Sequence, residues 1–197
     1  VIIEMLMGQK VKTCVVLQKH DGRRMDSQNH PDTSSPQPDS DVACTRADAL
    51  AGNARAQFGL GLYCAAGPAQ DYAQAAEWYL KAAEQNHHLA QYNLGLMFAQ
   101  GQGVQPDDAT AVTWIRRAAN GGDAGAQFDL GNRSYRASAN GSETDTAESR
   151  IEAYKWYKLA AAQGYGKSAD SSDYATIRMS REEVTEGNRR VASFVTS

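Results

Sequence analysis

At 197 residues the chain has room for one domain of ordinary size and a tail. Its 42% hydrophobic and 22% charged residues are those of a soluble globular protein, and a formal net charge of -3 excludes a strong pull toward nucleic acid or an anionic membrane. No run approaches the ~20 apolar residues that span a bilayer, and Cys14, Cys44 and Cys64 stand at unrelated spacings that build no disulfide framework, so a cytoplasmic protein without membrane insertion is expected.

Residues 1–24 open on Val1-Ile2-Ile3, broken by Glu4, Lys10 and Lys12, and no signal-peptide core or small-x-small cleavage site follows; Met25 serves equally well as a start. Residues 26–41 hold no large apolar side chain and cannot offset their ordering entropy, so 1–41 is read as a disordered leader or non-native start. From Val42 the composition turns Ala-rich. Val42, Thr45-Arg46, Ala49 and Leu50 predict an amphipathic helix ending at Gly52, a half-repeat over the N-terminal end.

One motif then recurs: Ala56-Gln57-Phe58-Gly59-Leu60-Gly61, Ala90-Gln91-Tyr92-Asn93-Leu94-Gly95 and Ala126-Gln127-Phe128-Asp129-Leu130-Gly131. Each copy leads to a tryptophan (Trp78, Trp114, Trp156) and an alanine pair (Ala82-Ala83, Ala118-Ala119, Ala160-Ala161). Leu60 to Leu94 is 34 residues and Leu94 to Leu130 is 36, a period that means a solenoid of stacked units. The repeats, about 53–86, 87–122 and 123–166, each parse as two helices, A and B.

In the second repeat helix A is predicted over Leu89–Gln100, stopping at Gly101, and Asp107 caps a helix B that ends at Gly121-Gly122. In the first, Asp71 is the cap and Asn86 the terminator. In the third, a polar insertion, Ala137–Glu148, separates the helices, and Ser149 with Glu152 reads as the capping box of helix B. That insertion is a candidate contact loop, although a tolerated surface insertion is the plainer account.

After Gly164, Ala169–Ile177 is predicted as a short helix in the place of a fourth helix A. Ser180 and Glu183 form a capping box, with Met179 and Val184 as staple. Val184, Val191, Phe194 and Val195 supply an apolar face, while Arg181, Glu186, Arg189 and Arg190 stay wet. Residues 167–197 thus read as C-terminal capping helices.

The recurring residues have physical roles. The glycine of Leu-Gly lets helix B of its own repeat approach helix A, the alanine pair does the same for the next repeat, and the tryptophans fill the space between paired helices. Ala90 to Val104, followed by Asp107, Ala111, Trp114 and Ala118-Ala119, closely resembles the Sel-1-like repeat, a tetratricopeptide-like group. The resemblance covers about residues 42–166. It implies an all-α fold, a right-handed α/α superhelical solenoid with a C-terminal capping helix. Two departures stand out. Cys64, Phe98 and Ser134 occupy the family's usual Tyr position, and the Gly-x-Gly-Val turn is intact only at Gly101-Gln102-Gly103-Val104. Cys64 lacks an in-repeat partner, which disfavours the secreted, cysteine-rich subclass.

The resemblance also implies a concave groove, lined by helix A, that binds a peptide or protein surface. By analogy its lining is Arg55, Phe58 and Leu62, then Tyr92, Leu96 and Gln100, then Phe128, Asn132 and Arg136. The ladder Phe58, Tyr92, Phe128 suits an extended segment, with Arg55 and Arg136 engaging carboxylates; packing accounts for the same ladder equally well. His87-His88 read as solvated turn residues, and no set of residues converges on a metal. No catalytic residue or cofactor is expected: Cys64 reads as an inert core thiol, and no serine–lysine site assembles. The expected function is a non-enzymatic adaptor for a protein or peptide partner. The alternative is a cell-envelope or secreted protein associated with peptidoglycan or hydrolase activity.

Overall fold

The computed structural model describes residues 46–67, 70–139 and 143–196, and the expectations placed on residues 1–45 lie outside them. Among the described residues every regular element is a helix. A short α1 at 46–50 leads to α2 (Ala54–Ala66) and α3 (Tyr72–Glu84), then α4 (His88–Gln100) and α5 (Asp108–Asn120), then α6 (Ala124–Ala137) and α7 (Glu143–Ala162). Two tail helices follow, α8 (Ser168–Thr176) and α9 (Arg181–Val195). Helices α2, α4 and α6 are the A helices, and α3, α5 and α7 the B helices.

Punctuation sets these bounds. Asn53 and Asp123 cap α2 and α6 by accepting from Ala56 N–H at 3.0 Å and Ala126 N–H at 2.8 Å. Asp71 accepts from Gln74 N–H, and Asp107 from both Ala109 and Thr110 N–H. Helix α4 stops where Gly101 turns left-handed (φ 66), and Asn86 (φ 62) ends the turn after α3.

Within each repeat a glycine sets the helix spacing. A Cβ on Gly61 would stand 2.5 Å from the Tyr79 ring, one on Gly95 2.7 Å from Ile115, and one on Gly131 2.6 Å from Tyr157. The residue that meets the glycine is therefore the one after each tryptophan. This corrects the role expected of the tryptophans. Trp114 and Trp156 reach across to the cluster built on the preceding repeat's alanines, Ala82-Ala83 and Ala118-Ala119 respectively. Trp156 is buried, whereas Trp78 and Trp114 are half-buried. A helix-B position one residue round from the glycine contact points toward the neighbouring unit rather than the partner helix.

Between repeats the lock is a buried glutamine. Gln57, Gln91 and Gln127 donate from Nε2 to the carbonyls of Ala49, Ala83 and Ala119, each eight residues earlier, at 3.1, 3.0 and 3.1 Å. The motif's glutamine thus ties each helix A to the end of the helix before it. Ala49, 1% exposed, serves as Ala83 and Ala119 do, so α1 takes the place of the last turn of a helix B.

The third repeat departs from expectation. Helix α7 begins at Glu143 and runs unbroken for 20 residues, so Ser149 and Glu152 lie inside it and form no cap. The second half of the expected insertion loop, residues 143–148, is additional helix. The physical reason is tertiary: the extension gives α9 something to pack on. Glu148 and Glu152 accept from Arg190, and Arg150 donates to Glu183. Gly187 lies so close to Tyr154 that a Cβ would stand 2.6 Å from its ring. Ser180 and Glu183 make the expected capping box. Two other expectations for α9 fail: Val195 is 73% exposed, and Arg190 is drawn into the carboxylate network.

Candidate functional site

The A helices share one register, set at their N-termini. The backbone N–H of Asn53, His87 and Asp123 bonds the carbonyl of Asp48, Ala82 and Ala118, and Tyr165 N–H bonds Ala160 in the same way. Counting from these points, α8 continues the series as a fourth helix A: Ser168 and Ser172, both buried, fall where Ala126 and Leu130 stand on α6. One row along the A helices is then Leu62, Leu96, Asn132 and Tyr174. A second is Ala66, Gln100 and Arg136, continued by Arg178 in the turn just past α8.

The nine side chains expected to line this face divide by exposure. Arg55, Leu62, Gln100 and Arg136 are exposed, and Leu96 is half-buried against the second core cluster. Tyr92 is only 6% exposed and packs with Ile115, Ala126 and Leu130. Phe58 stacks on His87 at 4.6 Å and leans on Tyr79 at 5.8 Å; Phe128 sits between Tyr157 and Tyr165, each 5.7 Å away. Asn132 accepts from the Tyr157 hydroxyl at 2.9 Å. The aromatic ladder is therefore largely occupied with packing, and burial pushes the Tyr157 hydroxyl up to about 12, keeping it a donor.

The sequence missed Tyr135, Tyr174, Ile177 and Arg178. Tyr174 and Ile177 are 60% and 76% exposed, and the rings of Tyr135 and Tyr174 lie 6.0 Å apart. The signal was present: once the α8 segment is read as a fourth helix A, the same count carries the face onto it.

His87 also differs from the solvated residue expected. Its Nδ1 caps α4 by accepting from Ala90 N–H at 3.3 Å, and burial lowers its pKa, with lesser contributions from neighbouring His88 and Arg55. The exposed His88 leans over Gly121 instead.

Among the described residues no group of three His, Cys, Asp or Glu side chains is placed to hold a metal ion. A cleft of about 350 Å³ opens between α5, α6 and α7. Most of its charges are paired: Arg133 bridges to Asp108, and Glu148 and Glu152 to Arg190. Cys64 is buried, donates to Gln74 Oε1, and has its pKa raised by that burial, the opposite of an activated nucleophile. No described helix is long and apolar enough to cross a membrane.

Comparison with known proteins agrees with this geometry. The Sel1 repeat pattern matches residues 54–87, 88–123 and 124–165. An uncharacterized protein, NMB1327, of Neisseria meningitidis serogroup B is 39% identical over 70 residues, which is 36% of this chain and 15% of that protein. Among solved structures, c5321, a protective antigen present in uropathogenic Escherichia coli strains and displaying an SLR fold, superposes with a TM-score of 0.67 at 26% identity, over 81% of this chain and 33% of that one. A Sel1 repeat protein from Oxalobacter formigenes superposes with a TM-score of 0.58 at 32% identity, over 68% of this chain and 97% of that one. The chain thus spans a small part of the first two. The three matched repeats, the α/α architecture and these likenesses place the chain in the Sel1 repeat family, whose members are typically non-catalytic helical scaffolds for protein–protein interaction.

Proposed function

We propose that the chain is a non-enzymatic adaptor that binds a protein or peptide along its helix-A face. The observation that carries this reading is the set Arg55, Leu62, Gln100 and Arg136. These side chains recur on one face of a rigidly locked array and are exposed, so the packing does not need them. Side chains spared by the core and held by regular helices can present a fixed pattern to a partner at little ordering cost. The test compares host proteins crosslinked to wild type with those crosslinked to Arg55→Glu/Leu62→Ala/Arg136→Glu, with circular dichroism confirming the fold. A partner lost from the folded variant, and retained by Leu80→Glu on helix α3, supports the reading. Retention by both overturns it.

A second reading, service in the cell envelope, draws on the likeness to a protein described as a protective antigen. Digestion by added protease decides it: cleavage of the chain in intact cells or in cells whose outer membrane has been opened favours the envelope, and protection until the cytoplasmic membrane is broken rules it out.

A further inference from the structure

The helix-A face ends on a patch that no packing role explains. At the end of α8, Tyr174 stands in the last turn, Ile177 is the C-cap and keeps helical dihedrals (φ -58, ψ -28), so the two fall on one side at i and i+3, and Arg178 follows in the turn just beyond. Tyr174 and Ile177 are among the most exposed large apolar residues described, at 60% and 76%. Tyr135 of α6 lies 6.0 Å from Tyr174, its ring tilted by 53°, which joins the two helices into one apolar surface. Its chain neighbour Arg136 is exposed, as is Arg178.

These two arginines differ from Arg133, one turn earlier on α6, which is held by Asp108 at 2.9 Å and Asp129 at 3.4 Å. Among the described residues neither Arg136 nor Arg178 has a carboxylate within ion-pair distance. The acids on α6 and α8 after their first residues are Asp129, engaged by Arg133, and Asp170 and Asp173, which form no ion pair with a described cation. The exposed end of the face therefore combines an aromatic and aliphatic surface with two guanidinium groups that no described carboxylate engages.

A guanidinium prefers a carboxylate, which it grips with two parallel hydrogen bonds. A flat apolar surface beside it takes an aromatic or branched side chain. We propose that this C-terminal end of the face is a subsite for an acidic, extended peptide segment: an apolar residue seated on Tyr135, Tyr174 and Ile177, flanked by Asp or Glu side chains on Arg136 and Arg178. The proposal rests on the adaptor reading and names the chemistry of the partner.

The test uses the full chain and three short fluorescent peptides with blocked ends, each carrying one Phe flanked by Asp and Glu, by Lys, or by Ser. Anisotropy titrations are run on wild type, Arg136→Glu/Arg178→Glu, Tyr174→Ala/Ile177→Ala and Arg55→Glu. All the substituted side chains are exposed, so circular dichroism should stay unchanged. The expected result is that wild type binds the acidic peptide at least about tenfold more tightly than the Ser peptide, with affinity falling as salt rises. The charge-reversed variant inverts the preference toward Lys, the double alanine variant weakens binding of the acidic peptide, and Arg55→Glu has a lesser effect. The proposal is overturned if the acidic peptide shows no preference, or if charge reversal leaves it unchanged. It is also overturned if sedimentation shows wild-type self-association that Tyr174→Ala/Ile177→Ala abolishes, because a second copy then covers the patch. If a host partner is still lost from the Arg55, Leu62 and Arg136 variant while the peptides fail, the adaptor reading survives without this subsite. If that partner also stays, both fall.

Discussion

The side-chain amide of Gln127 donates to the carbonyl of Ala119 at 3.1 Å, from a residue only 1% exposed, and so ties the third repeat to the second. Its Oε1 in turn accepts from Gln163 at 2.9 Å, which ties α6 to the end of α7. A single amide thus serves two junctions. Replacement by the apolar, slightly shorter Leu leaves the Gln163 amide without this acceptor and Ala119 with one fewer donor. Gln127→Leu should cost about 1–3 kcal/mol, seen as a lower urea midpoint at unchanged slope. A loss under a few tenths of a kcal/mol would mean the lock is ornamental.

The second repeat breaks the pattern at the matching place. Gln57 accepts from Gln85, as Gln127 does from Gln163, but Gly121 stands where the donor should be and Gln91 Oε1 is buried with no hydrogen-bond partner among the described residues. The imidazole of His88 occupies the space that a side chain on Gly121 would need, whereas Ala54 and Ala124 stand at the matching positions of the other repeats. Gly121→Gln alone should destabilise by overpacking, by about 1–3 kcal/mol. Combined with His88→Ala it should gain about 1 kcal/mol by satisfying Gln91. A double-mutant cycle in which the two changes simply add would refute this account.

His87 makes stability depend on pH. Burial lowers its pKa below the ordinary 6.5, and only the neutral ring can accept from Ala90 N–H. The folded state therefore binds the proton less readily than the unfolded one. Its contribution is complete above 6.5 and is lost as pH falls through the depressed value. His87→Asn keeps a cap of the kind Asn53 provides and should flatten the thermal-stability profile between about pH 7 and 5. An unchanged slope would place the dependence elsewhere.

The capping helix should answer to acid in a lower window. Hydrogen bonding to Arg190, opposed by some burial, holds Glu148 below its ordinary 4.5, so its contribution is present above that value and lost as pH falls beneath it. Arg190→Met should cost about 1–2 kcal/mol and speed amide exchange in α9 more than in α4. Uniform acceleration across both helices would instead mean that α9 unfolds only with the whole array.

The repeat count, the helix pairs and most caps were legible because each depends on local chemistry: Asp71 and Asp107 before helices, Asn86 and Gly101 after them. The length of α7 was not. Its first turns are polar and read as a loop, and what makes them helical is α9, 33 to 42 residues away in the bonds Arg150–Glu183 and Arg190–Glu148. Of the candidate face, Arg55 and Arg136, which the family resemblance placed there, are exposed. The fate of Tyr92 was not legible, since only packing across a repeat boundary buries it. His87 escaped because a histidine as helix cap is a choice that composition does not announce.

The eight-residue span from Ala83 to Gln91, and again from Ala119 to Gln127, has a genetic consequence. A tandem copy of residues 88–123 would set the new Gln91 eight places after the old Ala119, and Asp123 would stand before the new His88 as it now stands before Ala124. Both seams would close with side chains the copy already carries. Such a chain can lengthen by unequal crossing-over while keeping the glutamine lock at every seam, so the number of units, and with it the length of the helix-A face, is a trait open to selection.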